Sequence, residues 1–498
     1  MDAIKINIKD NVAVLLRDAK KEEIILVNNS QIKILENIKS GHKFTLNDIK
    51  CGEQIIKYGF PIGRAKTDIK KGSHVHIHNV ETNLGEILDY KYNPITSESI
   101  EKVIKVDDKS FQGFRREDGK VGVRNEIWII PTVGCVNRIA ELLAEESSKK
   151  FNGIANIDGF YALTHPYGCS QIGEDLFSTQ KILAALTNHP NAAGVLILGL
   201  GCENNHIEAF KKVLKHYNPD RVKFLVCQDV EDELKEGVVL IKELVDFAHQ
   251  FKREEIDARE LIVGLKCGGS DGFSGITANP VIGCFSDKLI DMDGSTVLTE
   301  VPEMFGAETI LMERALNKYV FEKIVKLVNN FKEYFIYHNQ PIYENPSAGN
   351  IEGGISTLEE KSLGCTQKGG TSLVVDVLDY GDTLTKKGLT LLNAPGNDGV
   401  STTALAAAGC QLILFSTGRG TPFGTIVPTI KISTNSNLYS KKKNWIDFDA
   451  GRLLMGANKE SLTDEFFSLV IDVASGKMTK AEKIKFKEIV IFKKGVTV

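Results

Sequence analysis

From Gly113 onward, short and almost continuously apolar runs alternate with longer amphipathic stretches, and this alternation constrains the fold more than any other feature. The amphipathic stretches predict helices at residues 136–150, 174–186, 207–216 and 235–251. Strands without a polar face are buried on both sides, so the pattern predicts a parallel sheet covered by helices. The apolar runs between the helices are NEIWIIPTV (125–133), IDGFYALTH (157–165), AAGVLILGL (192–200), RVKFLVCQD (221–229) and ELIVGLKCGG (260–269).

Two further regions flank this pattern. Beyond residue 256 the alternation is less regular, with strands predicted at 295–303, 371–381, 388–396 and 411–420 and a late helix at 465–476. The first 92 residues contain only short β-rich runs separated by turns, which predicts a small β domain. Its predicted strands are VAVLL (12–16), EEIILV (22–27), QIKIL (31–35), EQIIKYG (53–59) and HVHIHN (74–79), and its predicted breakers are GHKF (41–44) and residues 59–63.

The resulting fold class is α/β in three domains. A small N-terminal β domain (1–92) is followed by a polar linker (93–112), a Rossmann-like parallel α/β domain (113–255) and a C-terminal α/β domain (256–498).

Composition excludes several classes of function. The 61 basic and 65 acidic residues give a net charge of −4 without a basic block, which argues against nucleic acid or an anionic membrane as partner. The N-terminus has no signal-peptide pattern, and the most apolar stretch (404–415) is interrupted by Gln411 and is shorter than a membrane span. We therefore expect a cytoplasmic protein that acts on a small molecule. The oligomeric state is left open, a homodimer being one state compatible with the sequence.

The positions of five of the nine cysteines are informative. Cys135, Cys169, Cys202, Cys227 and Cys267 each lie at or after the end of a predicted strand. In open α/β sheets ligands bind outside the carboxyl ends of the strands, so these thiols are predicted to converge on one crevice. Among them, Cys135, Cys169, Cys202 and Cys267 are candidate metal ligands. The alternatives are tight packing at the strand ends and reduced thiols that act as small hydrophobes.

Polar residues near these strand ends suit a polyhydroxylated anion. Arg419, between glycines after an apolar run, is a candidate carboxylate clamp, and a solvated arginine in a turn is the alternative. The candidate substrate-binding residues are Arg124, Asn125, Asn204, Ser270, Asp271, Asn279 and Arg419.

Three of the ten histidines lie at alternate positions in GSHVHIHNV (72–80). On a strand, His74, His76 and His78 would share one face, about 7 Å apart. One or two of them could bind a metal ion that other residues complete, and His42 in SGHKF is a candidate partner. The alternatives are contacts with substrate hydroxyls and an ordinary polar strand face.

Eight long motifs in one order resemble the altronate/galactarate dehydratase family over nearly the whole chain. They are GFRREDGKVGVRNEIWIIPTVGCVN, THPYGCSQIGED, GLGCENN, CGGSDGFSGITANP, LTEVPEMFGAE, ENPSAGN, LEEKSLGCTQKGG and FSTGRGTPFG. The N-terminal domain resembles a SAF (β-clip) domain. The HVHIHN run is similar to the altronate branch of the family, because galactarate dehydratases lack these histidines.

The resemblance implies conversion of D-altronate into 2-dehydro-3-deoxy-D-gluconate and water, in galacturonate catabolism. It also implies dependence on a divalent metal, Fe(II) with Mn(II) as a substitute. An iron–sulfur cluster on the strand-end cysteines is a less favoured alternative, because the sequence has no compact CxxC spacing. Competing functions are dehydration of galactarate, a sulfolactate-type lyase, and a non-enzymatic sugar-acid sensor.

Such a dehydration needs an acid and a base. A base must remove the weakly acidic C2 proton, an acid must protonate the C3 hydroxyl, and positive charge must stabilise the dianion. His165, Lys361 and Glu303 are the candidate catalytic residues, with Glu300 as a further carboxylate. The alternatives are a structural role for His165 and an exposed side chain for Lys361.

Overall fold

The computed structural model describes residues 2–28, 30–85, 87–95, 109–495 and 497. The predicted linker, 93–112, therefore lies largely outside the described residues. No helix in the described ranges is both long enough and apolar enough to span a membrane.

The N-terminal domain consists of short strands in small antiparallel sheets, as predicted. The sheets have the strand orders β1-β2-β5-β8, β3-β4 and β6-β7-β9. The strands are β1 (Ala3–Ile4), β2 (Val12–Leu15), β3 (Ile24–Val27), β4 (Ser30–Lys33), β5 (Lys43–Thr45), β6 (Gln54–Lys57), β7 (Phe60–Ala65), β8 (His74–Val75) and β9 (Val80–Glu81).

Two predicted breakers are strands instead. β5 begins inside GHKF and pairs with β2, while β7 contains the glycine expected to end a strand. Gly63 has φ +137, and a Cβ there would lie 2.5 Å from the Glu81 carbonyl oxygen. The glycine therefore allows β9 to approach β7 closely instead of breaking it.

The second domain has a parallel sheet with strand order β13-β12-β14-β15 and helices on its faces. A small antiparallel sheet, β11-β10-β16, lies beside it. The strands are β10 (Ser110–Arg115), β11 (Val121–Gly122), β12 (Glu126–Pro131), β13 (Gly159–Ala162), β14 (Ala192–Gly199), β15 (Val222–Val226) and β16 (Glu254–Asp257), and the helices are α1 (Asn137–Lys150), α2 (Gly173–Thr187), α3 (Ile207–Leu214) and α4 (Glu233–Ala248).

The C-terminal domain is built on a parallel sheet with strand order β19-β20-β18-β17-β21-β22-β23. Its strands are β17 (Ile262–Cys267), β18 (Ser295–Leu298), β19 (Val374–Leu378), β20 (Gly388–Leu392), β21 (Leu412–Thr417), β22 (Thr429–Ser433) and β23 (Phe448–Asp449). Its helices are α5 (Ala278–Asp291), α6 (Glu308–Glu313), α7 (Lys318–Tyr337), α8 (Ala348–Glu352), α9 (Leu358–Cys365), α10 (Asp398–Ala407), α11 (Ser436–Lys441), α12 (Lys459–Ala474) and α13 (Lys480–Lys483).

This sheet has a topological switch point between β17 and β21. From β17 the chain proceeds to β18 on one side, and it later returns to β21 on the other side. Loops after two strands that diverge in this way leave a crevice at their carboxyl ends, where α/β proteins bind ligands. The loops concerned are residues 268–272 and 418–420.

The predicted convergence of five cysteines on one crevice is wrong. Cys135, Cys169, Cys202 and Cys227 follow strands of the second-domain sheet, whereas Cys267 ends β17 in the C-terminal sheet. Alternation of strands and helices predicts a parallel sheet but does not reveal where one sheet ends and the next begins.

The N-terminal domain docks on α9, which is buried along its whole length. Glu360 accepts hydrogen bonds from Lys43 and Lys57, each at 2.8 Å, and all three side chains are buried. Beside it, Glu359 accepts hydrogen bonds from the Thr82 hydroxyl and the Asn83 amide. Buried ionic contacts thus hold the N-terminal domain against the C-terminal domain.

A second long-range connection joins the C-terminal segment to the second domain. Arg124 forms a bidentate pair with Glu482, and Lys487 pairs with Glu126, all four side chains being buried. These pairs fix the two α/β domains relative to each other.

Candidate active site

Three histidines meet where the N-terminal domain faces the C-terminal domain. The ring centroids of His42, His74 and His76 lie 5.0–5.3 Å apart, and His42 Nδ1 is 3.0 Å from His74 Nε2. One ligand atom from each lies within 4.8 Å of the others. We call these three residues the histidine cluster.

The predicted strand through all three alternate histidines is wrong beyond Val75. The chain turns after β8, and the Asn79 side chain holds this turn by accepting from the His76 amide and donating to the His74 carbonyl, both at 2.9 Å. The turn brings His76 towards His42, which a straight strand would not do. His78 is exposed outside the cluster, with its ring centroid 5.5 Å from that of His74.

The histidine cluster is electrically neutral at neutral pH. Burial, reinforced by neighbouring positive charge, lowers the pKa of His74 to about 3 and that of His76 to about 4, and burial also lowers the pKa of His42. Neutral imidazoles keep a lone pair that can bind a metal.

Hydrogen bonds orient these lone pairs. The Nε2–H of His42 donates to the Glu352 carbonyl oxygen at 3.1 Å, which leaves Nδ1 as the lone-pair atom facing His74. His76 Nδ1 is buried and has no hydrogen-bond partner in the described structure. A buried polar atom without a partner is costly, and a bound cation would satisfy it. The residues present therefore fit a divalent metal.

An interdomain cleft of about 620 Å³ lies beside the cluster, at the switch point of the C-terminal sheet. Its walls come from the N-terminal domain (Lys39, Ser40, Gly41 and His42), from the loop after β17 (Asp271 and Phe273), from the end of α8 (Glu352 and Gly353) and from the segments after β21 and β22 (Gly418, Arg419, Asn435, Asn437 and Lys441). The cleft thus combines cationic side chains, amides and the edge of the histidine cluster.

Arg419 lies at the rim of the cleft and pairs with Glu352 at 2.7 Å. Its side chain is 43% exposed and that of Glu352 is 62% exposed, so water weakens this ion pair. An anionic ligand can replace Glu352 at modest cost, and the predicted role of carboxylate clamp remains open to Arg419.

Asp271 holds the loops that form the floor of the cleft. Its two oxygens accept hydrogen bonds from Phe273 N, Ser274 Oγ, Thr434 Oγ1 and Asn435 Nδ2 at 3.2 Å or less, although burial raises its pKa. The next loop residue is Gly272, where a Cβ would lie 1.9 Å from the Gly41 carbonyl oxygen. Only glycine lets the N-terminal domain approach this loop so closely. Ser270, in the same loop, has a buried hydroxyl without a partner among the described residues.

A second group of charged side chains lies deeper in the C-terminal domain. Glu303 Oε2 is 3.2 Å from the Sγ atoms of both Cys267 and Cys365, and its Oε1 pairs with Lys361 at 2.8 Å. Lys368 Nζ lies 2.9 Å from Cys267 Sγ and 3.3 Å from Glu300. The lysine–glutamate–cysteine cluster comprises Lys266, Cys267, Glu300, Glu303, Lys361, Cys365 and Lys368.

Opposite charges in this cluster shift one another's pKa values. Burial alone would raise the pKa of Glu303, but the three lysines outweigh burial and lower it. Burial would likewise lower the pKa of Lys361, but the charge of Glu303 outweighs it and raises this pKa. Both side chains are therefore ionised at neutral pH. An ammonium of this kind stabilises an anion and is a poor base.

A chamber of about 700 Å³ borders this cluster. Cys267, Glu303 and Lys361 lie on its polar side, and Phe331, Tyr334 and Phe335 on its aromatic side. α8 separates it from the interdomain cleft, with Asn350 lining the chamber and Glu352 lining the cleft. Glu303 and Lys361, predicted separately as catalytic residues, are thus adjacent, but they lie in a different cavity from Arg419.

The structure favours the structural interpretation of His165. Its Nε2 donates to the Pro131 carbonyl at 2.8 Å, and its Nδ1 accepts from the Tyr167 amide at 3.2 Å. Burial lowers its pKa to about 4. Both ring nitrogens are occupied by the backbone, so His165 has no free atom for proton transfer.

Three residues predicted to bind substrate are buried, and their side chains already hydrogen-bond to other protein groups. Their assignment as substrate-binding residues is therefore wrong. Arg124 is committed to Glu482 and to backbone carbonyls. Asn125 bonds with Arg116, the Asn156 carbonyl and the Ala248 carbonyl, and Asn279 donates to Gly364 and accepts from Ser416. Asn279 was predicted from its place after a strand, which does not reveal local partners, and Arg124 and Asn125 directly precede β12, at its amino end. Asn204 is exposed on the second domain and donates to the Gln171 carbonyl.

The predicted cysteine ligands separate into two sets. Cys135, Cys169 and Cys202 are exposed on the second domain. Among the described residues, the side chains close enough to share a metal ion form two groups, the histidine cluster and Cys267 with Glu303 and Cys365, and these three cysteines belong to neither. Cys267 lies instead with Cys365 and Glu303. Cys365 and Lys368 were not predicted, although both lie in the recognised LEEKSLGCTQKGG motif.

Three family models together match most of the chain. The altronate/galactarate dehydratase SAF domain matches residues 1–83, the second domain of D-galactarate dehydratase/altronate hydrolase matches 113–249, and the C-terminal domain of D-galactarate/altronate dehydratase matches 258–497.

Individual relatives match over almost the full length. The chain is 56% identical to an altronate dehydratase of Bacillus subtilis, covering 99% of both chains, and 52% identical to an altronate dehydratase of Escherichia coli, covering 100% of both. It is 32% identical to a galactarate dehydratase (L-threo-forming) of Escherichia coli, covering 95% of this chain and 93% of the relative.

Proposed function

Because the chain belongs to the altronate/galactarate dehydratase family, we propose that it is an altronate dehydratase, a hydro-lyase that converts D-altronate into 2-dehydro-3-deoxy-D-gluconate and water. The observation that supports this substrate most directly is the full-length identity of 52–56% to two altronate dehydratases, against 32% to a galactarate dehydratase. The N-terminal, second and C-terminal regions are all included in these matches.

We place the reaction in the interdomain cleft. The cleft lies at the switch point of a parallel sheet and at a domain boundary, two places where ligand sites occur preferentially. It offers Lys39, Arg419 and Lys441 to an anion and the amide of Asn437 to hydroxyl groups. This combination suits a polyhydroxylated monocarboxylate.

His42, His74 and His76 would hold a divalent metal, Fe(II) or Mn(II), at the edge of this cleft. When bound, the metal supplies positive charge that lowers the cost of the dianion formed on loss of the C2 proton. Support comes from the three neutral imidazoles, from the unpartnered His76 Nδ1 and from the Glu352 carbonyl that orients His42.

Arg419 would bind the substrate carboxylate by exchanging its exposed partner Glu352 for the ligand. Asp271 would act as a positioning residue, because it joins the loop after β17 to Thr434 and Asn435. None of the residues predicted as acid or base, His165, Glu303 and Lys361, is among the described residues that line this cleft.

An anaerobic assay tests the proposal. Purified protein is stripped with chelator, supplied with D-altronate with and without Fe(II) or Mn(II), and analysed for the 2-keto-3-deoxy product. Product that depends on added metal is expected from D-altronate. Galactarate and sulfolactate serve as competing substrates, and turnover of either in preference to D-altronate would overturn the assignment.

A further inference from the structure

Two buried thiols lie in contact beside the chamber. Cys267 Sγ and Cys365 Sγ are 3.3 Å apart, at the ends of β17 and α9, and are separated by 98 residues in the chain. A disulfide bond is about 2.05 Å long, so the sulfurs need to approach by only about 1 Å. We propose that Cys267 and Cys365 form a reversible disulfide when a small peroxide enters the chamber.

The charged neighbours supply what thiol oxidation needs. Lys368 Nζ, 2.9 Å from Cys267 Sγ, is placed to pair with a thiolate at that sulfur. Glu303 Oε2 is 3.2 Å from both sulfurs and accepts a hydrogen bond from each thiol, which holds the two sulfurs side by side. Burial and the contact with Cys267 keep Cys365 a thiol until Cys267 has reacted, since both raise the pKa of Cys365.

The reaction balances with one peroxide molecule. The Cys267 thiolate attacks one peroxide oxygen and the O–O bond breaks, which gives a sulfenic acid and hydroxide. The hydroxide takes up the proton that the Cys267 thiol has lost and leaves as water. Cys365 then loses its proton and attacks the sulfenic sulfur, which releases a second water and forms the S–S bond. The two thiols together lose two electrons, the peroxide gains them, and a thiol reductant reverses the reaction.

Access distinguishes Cys267 from other buried cysteines. Cys267 lines the chamber, whereas Cys410 is buried in an apolar cluster between the two α/β domains. Cys410 is therefore a matched control for burial without access. Cys135 is exposed and is the control for access to the oxidant.

The disulfide would change the contacts within the lysine–glutamate–cysteine cluster while leaving its charged side chains in place. Glu303 would lose both thiol donors and keep only Lys361 among the contacts described above, and Lys368 would lose its sulfur partner. The bond would also join the end of β17 to α9, the helix on which the N-terminal domain docks. Formation of the bond does not depend on the proposed substrate, so its test uses no substrate.

The experiment is peptide mapping of the full-length chain. The metal-free protein is treated with hydrogen peroxide or with diamide, free thiols are alkylated under denaturing conditions, and the peptides are analysed by mass spectrometry with and without dithiothreitol. We expect a disulfide-linked peptide that contains Cys267 and Cys365, is 2 Da lighter than the sum of its reduced halves and disappears after dithiothreitol. Cys410 should be recovered in alkylated form. The variant C410S should behave as the wild type.

Two variants separate the steps. In C365S we expect a sulfenic acid at Cys267 that dimedone labels, because the second thiol is missing, and in C267S no dimedone label at Cys365. The proposal is overturned if neither oxidant links the pair while Cys135 is oxidised, or if Cys267 pairs with another cysteine. Circular dichroism of each variant verifies that the fold is retained.

Discussion

The histidine cluster and the lysine–glutamate–cysteine cluster lie on opposite sides of α8, and they satisfy buried polar groups in opposite ways. The histidine cluster has no formal charge and leaves His76 Nδ1 without a partner. In the other cluster, carboxylates and lysines are paired directly, as Glu303 is with Lys361 and Glu300 with Lys368. The first arrangement is completed by adding a cation, whereas in the second each charged side chain already has an oppositely charged partner.

The difference shows why burial of polar residues is not by itself a sign of a binding site. Buried charges that are paired with one another satisfy their own desolvation cost without a ligand. Neutral donors with free lone pairs have a cost that a ligand removes. The comparison therefore predicts loss of stability when the ionic contacts are broken and loss of ligand when the histidines are replaced.

The largest effect is expected where a buried ionic contact is broken. Glu360→Gln removes the carboxylate that pairs with both Lys43 and Lys57, leaving these two buried lysines without that anionic partner. Unfolding by urea should show a loss of about 3–5 kcal/mol in the free energy of unfolding. Glu141→Gln, in an exposed pair with Arg138, should cost less than 1 kcal/mol. Equal losses in the two variants would contradict the importance of burial.

Replacement of the unpartnered histidine should remove the metal. His76→Ala is expected to lower bound Fe(II), measured by plasma emission spectrometry after anaerobic loading, and to lower turnover of D-altronate about 100-fold. The free energy of unfolding of the metal-free protein should change little in comparison with Glu360→Gln. His249→Ala, exposed at the end of α4, is the control. Full metal content in His76→Ala would refute the assigned metal site.

A smaller effect is expected at the rim of the cleft. Arg419→Lys keeps the positive charge but loses the fork of donors that matches a carboxylate, so KM for D-altronate should rise about tenfold with kcat less affected. Lys361→Arg, in the other cavity, is the comparison variant. A larger rise in KM in Lys361→Arg than in Arg419→Lys would move the substrate into the chamber beside the lysine–glutamate–cysteine cluster.

The smallest effect concerns a histidine whose nitrogens are both occupied. Burial lowers the pKa of His165 to about 4 in the folded state, against an ordinary value of about 6.5. As the pH falls through this window the unfolded chain binds a proton that the folded chain does not, so stability falls. The loss should be about 1 kcal/mol between pH 6.5 and 5.5 and should end below about pH 4. His165→Gln should reduce this pH dependence, measured by urea unfolding; an unchanged slope would contradict it.

Much of the fold could be predicted because its signals are local. The apolar run 192–200 and the amphipathic stretch 136–150 are strand β14 and helix α1, with ends within two residues of the prediction. Strand β7 was missed because Gly63 serves close packing against β9, and β5 was missed because it begins shortly after Gly41, which lies against Phe273 and Gly353 of the C-terminal domain. Both are tertiary effects that the local sequence does not show.

The candidate site was predicted less completely. His42, His74 and His76 were identified from their spacing and chemistry, and the structure brings them together. The expected strand geometry would have kept them apart, and Asn79, which folds the turn, was not recognised. Glu360 and Cys365 were also missed, because their partners lie far away in the chain and three successive charges in α9 are typical of an exposed helix.

The pairs between the second domain and the C-terminal segment have a consequence for biosynthesis. Arg124 and Glu126 are translated early, but their partners Glu482 and Lys487 follow 358 and 361 positions later. Until the ribosome has delivered those residues, a nascent second domain has one guanidinium and one carboxylate that cannot be buried without cost. The second domain can therefore complete its packing only after the C-terminal domain has been synthesised. Until then, chaperones would encounter a domain whose interface with the C-terminal segment is exposed.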